Sequence, residues 1–422
     1  MNKWLRRLTA AGMLLFALLA AVLAFLAGTE AGLRCLATVS NRLSANVVAI
    51  GAASGSLWST LHLRNLRYDD GVDVVAIDSL DLTWDPSSLL DRRIRVLAIH
   101  GTGVQVRLGD STGETVLTPF YFPANLAIER VSVEGATIFS NQEPIWQIET
   151  ASLANFSYHG QNIAFDDLAL ISKESAIRAK GSLQTGDDYP LQWTIEAVVR
   201  PEGYQPIAGQ GAISGPINQL HINADLSSPF PAHLDGRLNK LLGATTWEAT
   251  VHCPAAVLAE IHPNWPEQRF TDVVVNGRGT LDAYGFAVRS AARMPTLKQT
   301  SALAAELDGD FNGIRVQTLE LAHGASSLTA KGRLTWNPGL SWEAEVRGAH
   351  IDPSLLFADW PGDFSCTLNT EGSFDGNDVR ASFHLPQLQG TLRRFPLSGK
   401  GEAHLLGRQV RIPMFALTSA GS

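Results

Sequence analysis

Apolar and polar side chains alternate one by one over most of the chain beyond residue 45. Trp193, Ile195, Ala197 and Val199 fall on one side of such a segment, and Gln192, Thr194 and Glu196 on the other. Ile177, Ala179, Gly181 and Leu183 alternate with Arg178, Lys180, Ser182 and Gln184. Val379, Ala381, Phe383 and Leu385 alternate with Arg380, Ser382 and His384, and Trp342, Ala344 and Val346 with Glu343, Glu345 and Arg347. A period of two residues is that of a strand with one apolar and one polar side. Turn-formers separate the segments: Gly186-Asp187-Asp188, Asn337-Pro338-Gly339 and Asp375-Gly376-Asn377. Helical periodicity is nearly absent there. The pattern predicts a mainly antiparallel β-structure.

The N-terminus breaks this rhythm. Leu8 to Thr29 carry no ionisable side chain over 22 residues, with Leu14, Leu15, Phe16, Leu18, Leu19, Val22, Leu23, Phe25 and Leu26 as its bulk. About 20 apolar residues cross a bilayer as a helix, whereas a cleavable signal has an apolar region of about 7 to 15. An uncleaved signal-anchor is therefore expected. Lys3, Arg6 and Arg7 precede it, so residues 1–7 are expected in the cytoplasm and the rest across the membrane, with Trp4 at the interface. An amphipathic stretch at residues 30–50 then leads into a β-region at 51–422.

Removing those three cations from the 33 Lys and Arg leaves 30 against 41 carboxylates, a net of about −11 for the exported part. A duplex-binding surface needs a basic stripe, and none is visible, so nucleic acid is not an expected partner. Cys35, Cys253 and Cys366 form no CxxC pair, which argues against a disulfide framework. Gly32-Leu33-Arg34-Cys35 is no lipobox.

Catalytic signatures are missing as well. There is no HExxH, GxSxG or P-loop, and the glycines at Gly209, Gly211 and Gly215 miss the dinucleotide fingerprint. His252, Cys253 and His262 come nearest to a metal cluster, but adjacent strand residues point to opposite faces. Asp69-Asp70, Asp166-Asp167 and Asp187-Asp188 could flank a glycosidic bond, yet they sit in turn-like sequence. No catalytic residue, cofactor or metal is assigned.

An internal repeat sharpens the architecture. The stretch from Thr246 (TWEATVHCPAAVLAEIHPNWPEQ) resembles that from Ser341 (SWEAEVRGAHIDPSLLFADWPGD), and Trp247 and Trp265 match Trp342 and Trp360 at an offset of 95. Each unit reads as a strand, a short helical turn and a Trp-Pro stop, with the four tryptophans as packing anchors. Asp352 can cap its turn, with Pro353 at the first position, and Asp85-Pro86 repeats that form. Units that cannot bury their own apolar face imply stacking into an elongated array.

That apolar face needs a cover. A second sheet would provide one; the alternative is a curled, open trough. Roughly 25 to 30 strands at about 4.8 Å each would make such a trough on the order of 100 Å long. The candidate lining comprises Ile177, Leu183, Trp193, Ile195, Val199, Val379, Phe383 and Leu385.

Several segments resemble the TamB family of inner-membrane subunits of the translocation and assembly module. These are the region from Gly55 (GSLWSTLHLRNLRYDDGVDVVAIDSLDLTWDPSSLLDRRIRVLAIHGTGVQV) directly after the anchor, and those from Asp352 (DPSLLFADWPGDFSCTLNTEG) and Leu388 (LQGTLRRFPLSGKGE). AsmA-type relatives share the anchor and the Gly-Ser-Leu strand; the Trp-Asp-Pro, Asp-Pro-Ser-Leu-Leu and Trp-Pro-Gly elements together favour TamB. The resemblance implies an inner-membrane, single-pass protein of a Gram-negative envelope with a periplasm-spanning β-taco. It also implies an outer-membrane barrel partner of the TamA type and roles in phospholipid transport and outer-membrane protein assembly. Family members are far longer and end in a partner-engaging domain, so an N-terminal fragment is expected. The expected function is a groove that conducts phospholipids between the membranes. The alternative is a chaperone-like scaffold handing unfolded strands to a barrel-assembly partner.

Overall fold

A computed structural model of the chain describes residues 47–56, 58–109, 121, 123–140, 142–186, 188–293, 300–337, 339–355, 359–375, 378–407 and 409–419. The expected anchor at residues 8–29, the stub before it and most of the 30–50 segment lie outside the described residues. Among those described, no helix is long and apolar enough to cross a membrane.

Among the described residues, twenty-three strands form one unclosed sheet, and the chain divides into two compact units. The first unit contains β1 (Val48–Gly55), β2 (Thr60–Asp69), β3 (Val74–Asp85), β4 (Arg93–Leu108) and β5 (Asn125–Ser140). It continues with β6 (Glu143–His159), β7 (Asn162–Ile171), β8 (Ser175–Gln184) and β9 (Leu191–Val199). The division falls within β10 (Ile207–Gly215). The second unit holds β11 (Gln219–Ser228), β12 (Ala232–Asn239), β13 (Thr246–Val257), α1 (Leu258–Ile261), β14 (Arg269–Thr280), β15 (Ala283–Arg293) and β16 (Ser301–Asp310). Then come β17 (Gly313–His323), β18 (Ser326–Thr335), β19 (Ser341–Ile351), β20 (Gly362–Asp375), β21 (Asp378–Leu392), β22 (Phe395–Leu406) and β23 (Gln409–Ser419).

Within each unit, strands pair with their neighbours in chain order. All these pairs are antiparallel except β4 and β5, which run parallel with Ile99 opposite Val131 and Val104 opposite Ala136. The sheet is thus mainly antiparallel, as expected, with this pair as the exception. A parallel pair needs a crossover connection rather than a tight turn, and residues 109–124 supply that length.

Both repeated units fold alike. β13 leads into α1 and Trp265-Pro266; β19 leads into a 3-10 turn at Pro353–Leu355 and Trp360-Pro361. Asp352 Oδ1 accepts hydrogen bonds from the Ser354 N–H at 2.9 Å and the Gly362 N–H at 3.1 Å, and Ser354 Oγ donates to Oδ2 at 2.8 Å. Asp85 caps the Pro86–Asp91 turn in the same manner, accepting from the Ser87 N–H at 3.0 Å.

Strict alternation cannot hold along strands as long as β4 and β5. It slips at Gly103 (φ 64°) and Gly135 (φ 69°), and on β2 at Asn65 (φ 53°). Glycine and asparagine are the residues that take this left-handed conformation cheaply. The slips on β2, β4 and β5 occur at one level, so Leu66, Ile77, Val104, Ala136 and Ile148 remain cross-strand neighbours beyond them.

Two outcomes follow from these local devices. Gly135 has no atom within 4 Å of where a Cβ would stand, so Gly135→Ala adds backbone strain alone. It should lower the stability of the first unit by about 1 kcal/mol in urea titrations, with Gly135→Asn costing less. The Asp352 carboxyl is held below the usual carboxylate range, first by the Ser354 N–H and then by its hydroxyl. A depressed folded value gives stability that is complete above the ordinary carboxylate range and lost as pH falls through the folded value. Asp352→Ala should therefore cost about 1 kcal/mol at neutral pH and flatten the loss of stability on acidification, read as urea midpoints at each pH.

Candidate functional site

Cross-strand partners share a face of a sheet, so the registers show what each face carries. In the first unit one row runs Leu61, Leu82, Ile99, Val131, Leu153, Leu168, Ala179, Ile195 from β2 to β9. The row beside it on the other face reads His62, Asp81, His100, Ser132, Ser152, Ala169, Arg178, Glu196. The polar row is tied by side-chain hydrogen bonds, His62 to Asp81 at 2.6 Å and His100 to Ser132 at 2.9 Å.

The second unit repeats the arrangement over thirteen strands. Leu220, Leu238, Trp247, Gly279, Tyr284, Gly309, Ile314, Leu334, Trp342, Gly372, Ala381, Leu405 and Val410 are successive partners from β11 to β23. The glycines in this row have an aromatic neighbour. A Cβ on Gly277, one step along β14, would sit 2.9 Å from the Trp247 ring, and one on Gly309 2.9 Å from the Tyr284 ring. The Trp247 indole donates to the Thr280 carbonyl at 2.8 Å, and that of Trp342 to Thr370 Oγ1 at 3.2 Å. Trp265 instead stacks on His262, and Trp360 lies under the Arg393 guanidinium, 4.8 Å from the ring centre.

These apolar rows are not sealed by a second layer. The largest side chain less than 2 % exposed among the described residues is Ser301, far too small to be the core of a sandwich. One local exception is the cluster of Ala232, Cys253 and Ala256 under Phe230 and Val273, whose burial pushes the Cys253 thiol up. Elsewhere the apolar side chains are mostly half-buried against their neighbours.

Registers place the sequence-derived candidates in two groups. Ile177, Leu183, Trp193, Ile195 and Val199 share one face of β8 and β9, where Ala179 pairs with Ile195 and Gly181 with Trp193. Val379, Phe383 and Leu385 share the apolar face of β21 in the second unit. Val199 and Phe383 are the open ones, at 40 % and 37 % exposure. The alternation did not reveal the strands of the first unit that carry phase slips, and the glycines at Gly103 and Gly135 were the available signal.

The polar face has its own recess, about 790 Å³ in the second unit, lined by Arg315, Lys331, Arg333, Glu345, Asn369 and His384 among others. Its acids and bases compensate one another. Glu345 meets Lys331 at 3.2 Å and also Arg347, and the Lys331 contact leads in holding its carboxyl below the usual range. Among the described residues no group of three His, Cys, Asp or Glu could hold a metal ion.

The structure is a long, unclosed sheet with one apolar face that no second layer covers. The family description "TamB, N-terminal domain" matches residues 19–116 and 111–422. The chain belongs to the TamB family, and the match together with the open sheet fits a TamB-like envelope protein. No solved structure matches it.

The two faces should respond oppositely to charge. Ile195→Asp is expected to weaken binding of the apolar dye ANS by the full-length protein several-fold. Thr194→Asp, one residue away on the polar face, should leave it unchanged at equal circular dichroism.

Proposed function

We propose that the chain is anchored once in the inner membrane with its β-region in the periplasm, and that its apolar face conducts phospholipids toward the outer membrane. On this reading acyl chains lie on the apolar rows and head groups stay in water. Ile177, Leu183, Trp193, Ile195, Val199, Val379, Phe383 and Leu385 are contact points of that lining. An outer-membrane barrel of the TamA type is the partner, and outer-membrane protein assembly benefits from the lipid supplied.

The observation that carries this reading is continuity: within each unit, apolar side chains follow one another from strand to strand without a covering layer. An exposed apolar surface of this extent is costly unless something apolar visits it. An acyl chain is about as wide as the spacing of strands, flexible, and indifferent to which aliphatic residue it touches. Transport along such a surface needs no catalytic group.

Benzoylphenylalanine placed at Ile195 or Phe383 in cells should yield phospholipid adducts on irradiation, and the same residue at Thr194 or Ser382 should not. Asp at Ile195 should abolish adducts from neighbouring positions while the protein remains folded. Polypeptide adducts in place of lipid would favour the strand-handing scaffold and overturn the conduit.

A further inference from the structure

Three of the described strands carry a tryptophan on the apolar face within their first three residues: Trp193 on β9, Trp247 on β13 and Trp342 on β19. The indole N–H groups of Trp247 and Trp342 are satisfied within the sheet, at 2.8 Å and 3.2 Å. That of Trp193 is buried and has no hydrogen-bond partner. An unpaired buried donor costs free energy and is uncommon in native structures. The neighbourhood explains why it is orphaned. Trp193 pairs with Gly181, and Gly181 with Phe165 on β7, so two aromatic rings lean toward a residue without a side chain. A Cβ on Gly181 would stand 2.5 Å from the indole Cδ1, which places the pyrrole edge, with its N–H, over that glycine. Phe165 meets the indole at 5.6 Å with the ring planes 80° apart, and an aromatic ring is at most a weak acceptor.

We propose that Trp193 Nε1 is the polar contact of an amphiphile held on the apolar face of the first unit, donating to an oxygen at the head of an acyl chain. This inference rests on the conduit reading and adds a fixed point to it. A purely aliphatic face lets a chain slide without register; a single donor at its margin gives a position at which the head-proximal oxygen stops. Phe165, packed edge-on against the indole, is the side chain that an incoming acceptor displaces. The oxygen is the ester carbonyl of a glycerolipid or the carboxylate of a free fatty acid, which share this chemistry.

Trp193→Phe removes the N–H and keeps a flat apolar ring. Fluorescence anisotropy of three pyrene probes on the full-length protein separates the cases: pyrenyl phosphatidylcholine, pyrenyl dodecanoic acid and pyrenyl dodecane. The substitution should weaken one oxygenated probe about five- to tenfold, the worth of one hydrogen bond, and leave pyrenyl dodecane unchanged. The sensitive probe identifies the source. Equal affinity of wild type and variant for all three overturns the assignment and leaves the conduit standing, whereas a wild-type protein that binds none overturns both. Urea midpoints give a second check. Trp193→Phe should lower the midpoint less than Trp247→Phe, which loses the bond to Thr280; an equal loss means that the Trp193 N–H already has an internal partner.

Discussion

Every strand here has to satisfy two conditions at once: pair its backbone with both neighbours, and place its apolar residues on the side where its neighbours place theirs. Backbone pairing fixes register, and register fixes which side chains are opposite. A shift of one residue would send a whole apolar set to the polar face. Because the apolar rows run through many strands, one wrong register would cut the surface in two. The rest of the architecture serves to avoid that.

The slips at Asn65, Gly103 and Gly135 show how strictly the condition is kept. Each would invert the faces of its own strand if it stood alone. Lying at one level on β2, β4 and β5, they leave Ile77, Val104 and Ala136 aligned. Left-handed backbone at these points is a modest local cost, and glycine and asparagine keep it small. Aromatic residues over glycines solve a related problem. Gly277 and Gly372 would leave gaps on the apolar face, and Trp247 and Trp342 cover them, each with its N–H tied down so that no donor is stranded. Trp193 departs from that rule, and its departure falls at the margin of the candidate surface of the first unit.

A surface of this kind works through extent and continuity. Its polar side is held by short-range cross-strand contacts such as His62 with Asp81 and Lys331 with Glu345, all wet and individually worth little. The apolar side lacks a partner layer, so each half-buried leucine or valine realises only part of the roughly 1.5 to 3 kcal/mol that full burial brings. The unrealised remainder is what an acyl chain would supply on arrival, which links the marginal packing of the sheet to its proposed work.

Much of this was legible in the sequence. The period of two residues fixed the strand class and the polar and apolar sides, because side-chain direction in a strand is a local property: Trp193, Ile195, Ala197 and Val199 share a face whatever they pair with. The repeat exposed equivalent strands at Trp247 and Trp342, and Asp352 with Pro353 announced a capped turn, since capping involves residues only two apart. Other features needed the fold. The parallel pairing of β4 with β5 depends on how a connection returns, and no short-range pattern encodes that. Whether slips on three strands fall at one level depends on registers set between residues far apart in the chain. That Ser301 is, among the described residues, the largest side chain sealed from solvent, and that the Trp193 N–H meets no acceptor, are decided by which groups tertiary structure brings near and which it leaves alone. Local chemistry chose the faces of this sheet, and long-range pairing decided that the faces join and that the apolar one stays uncovered.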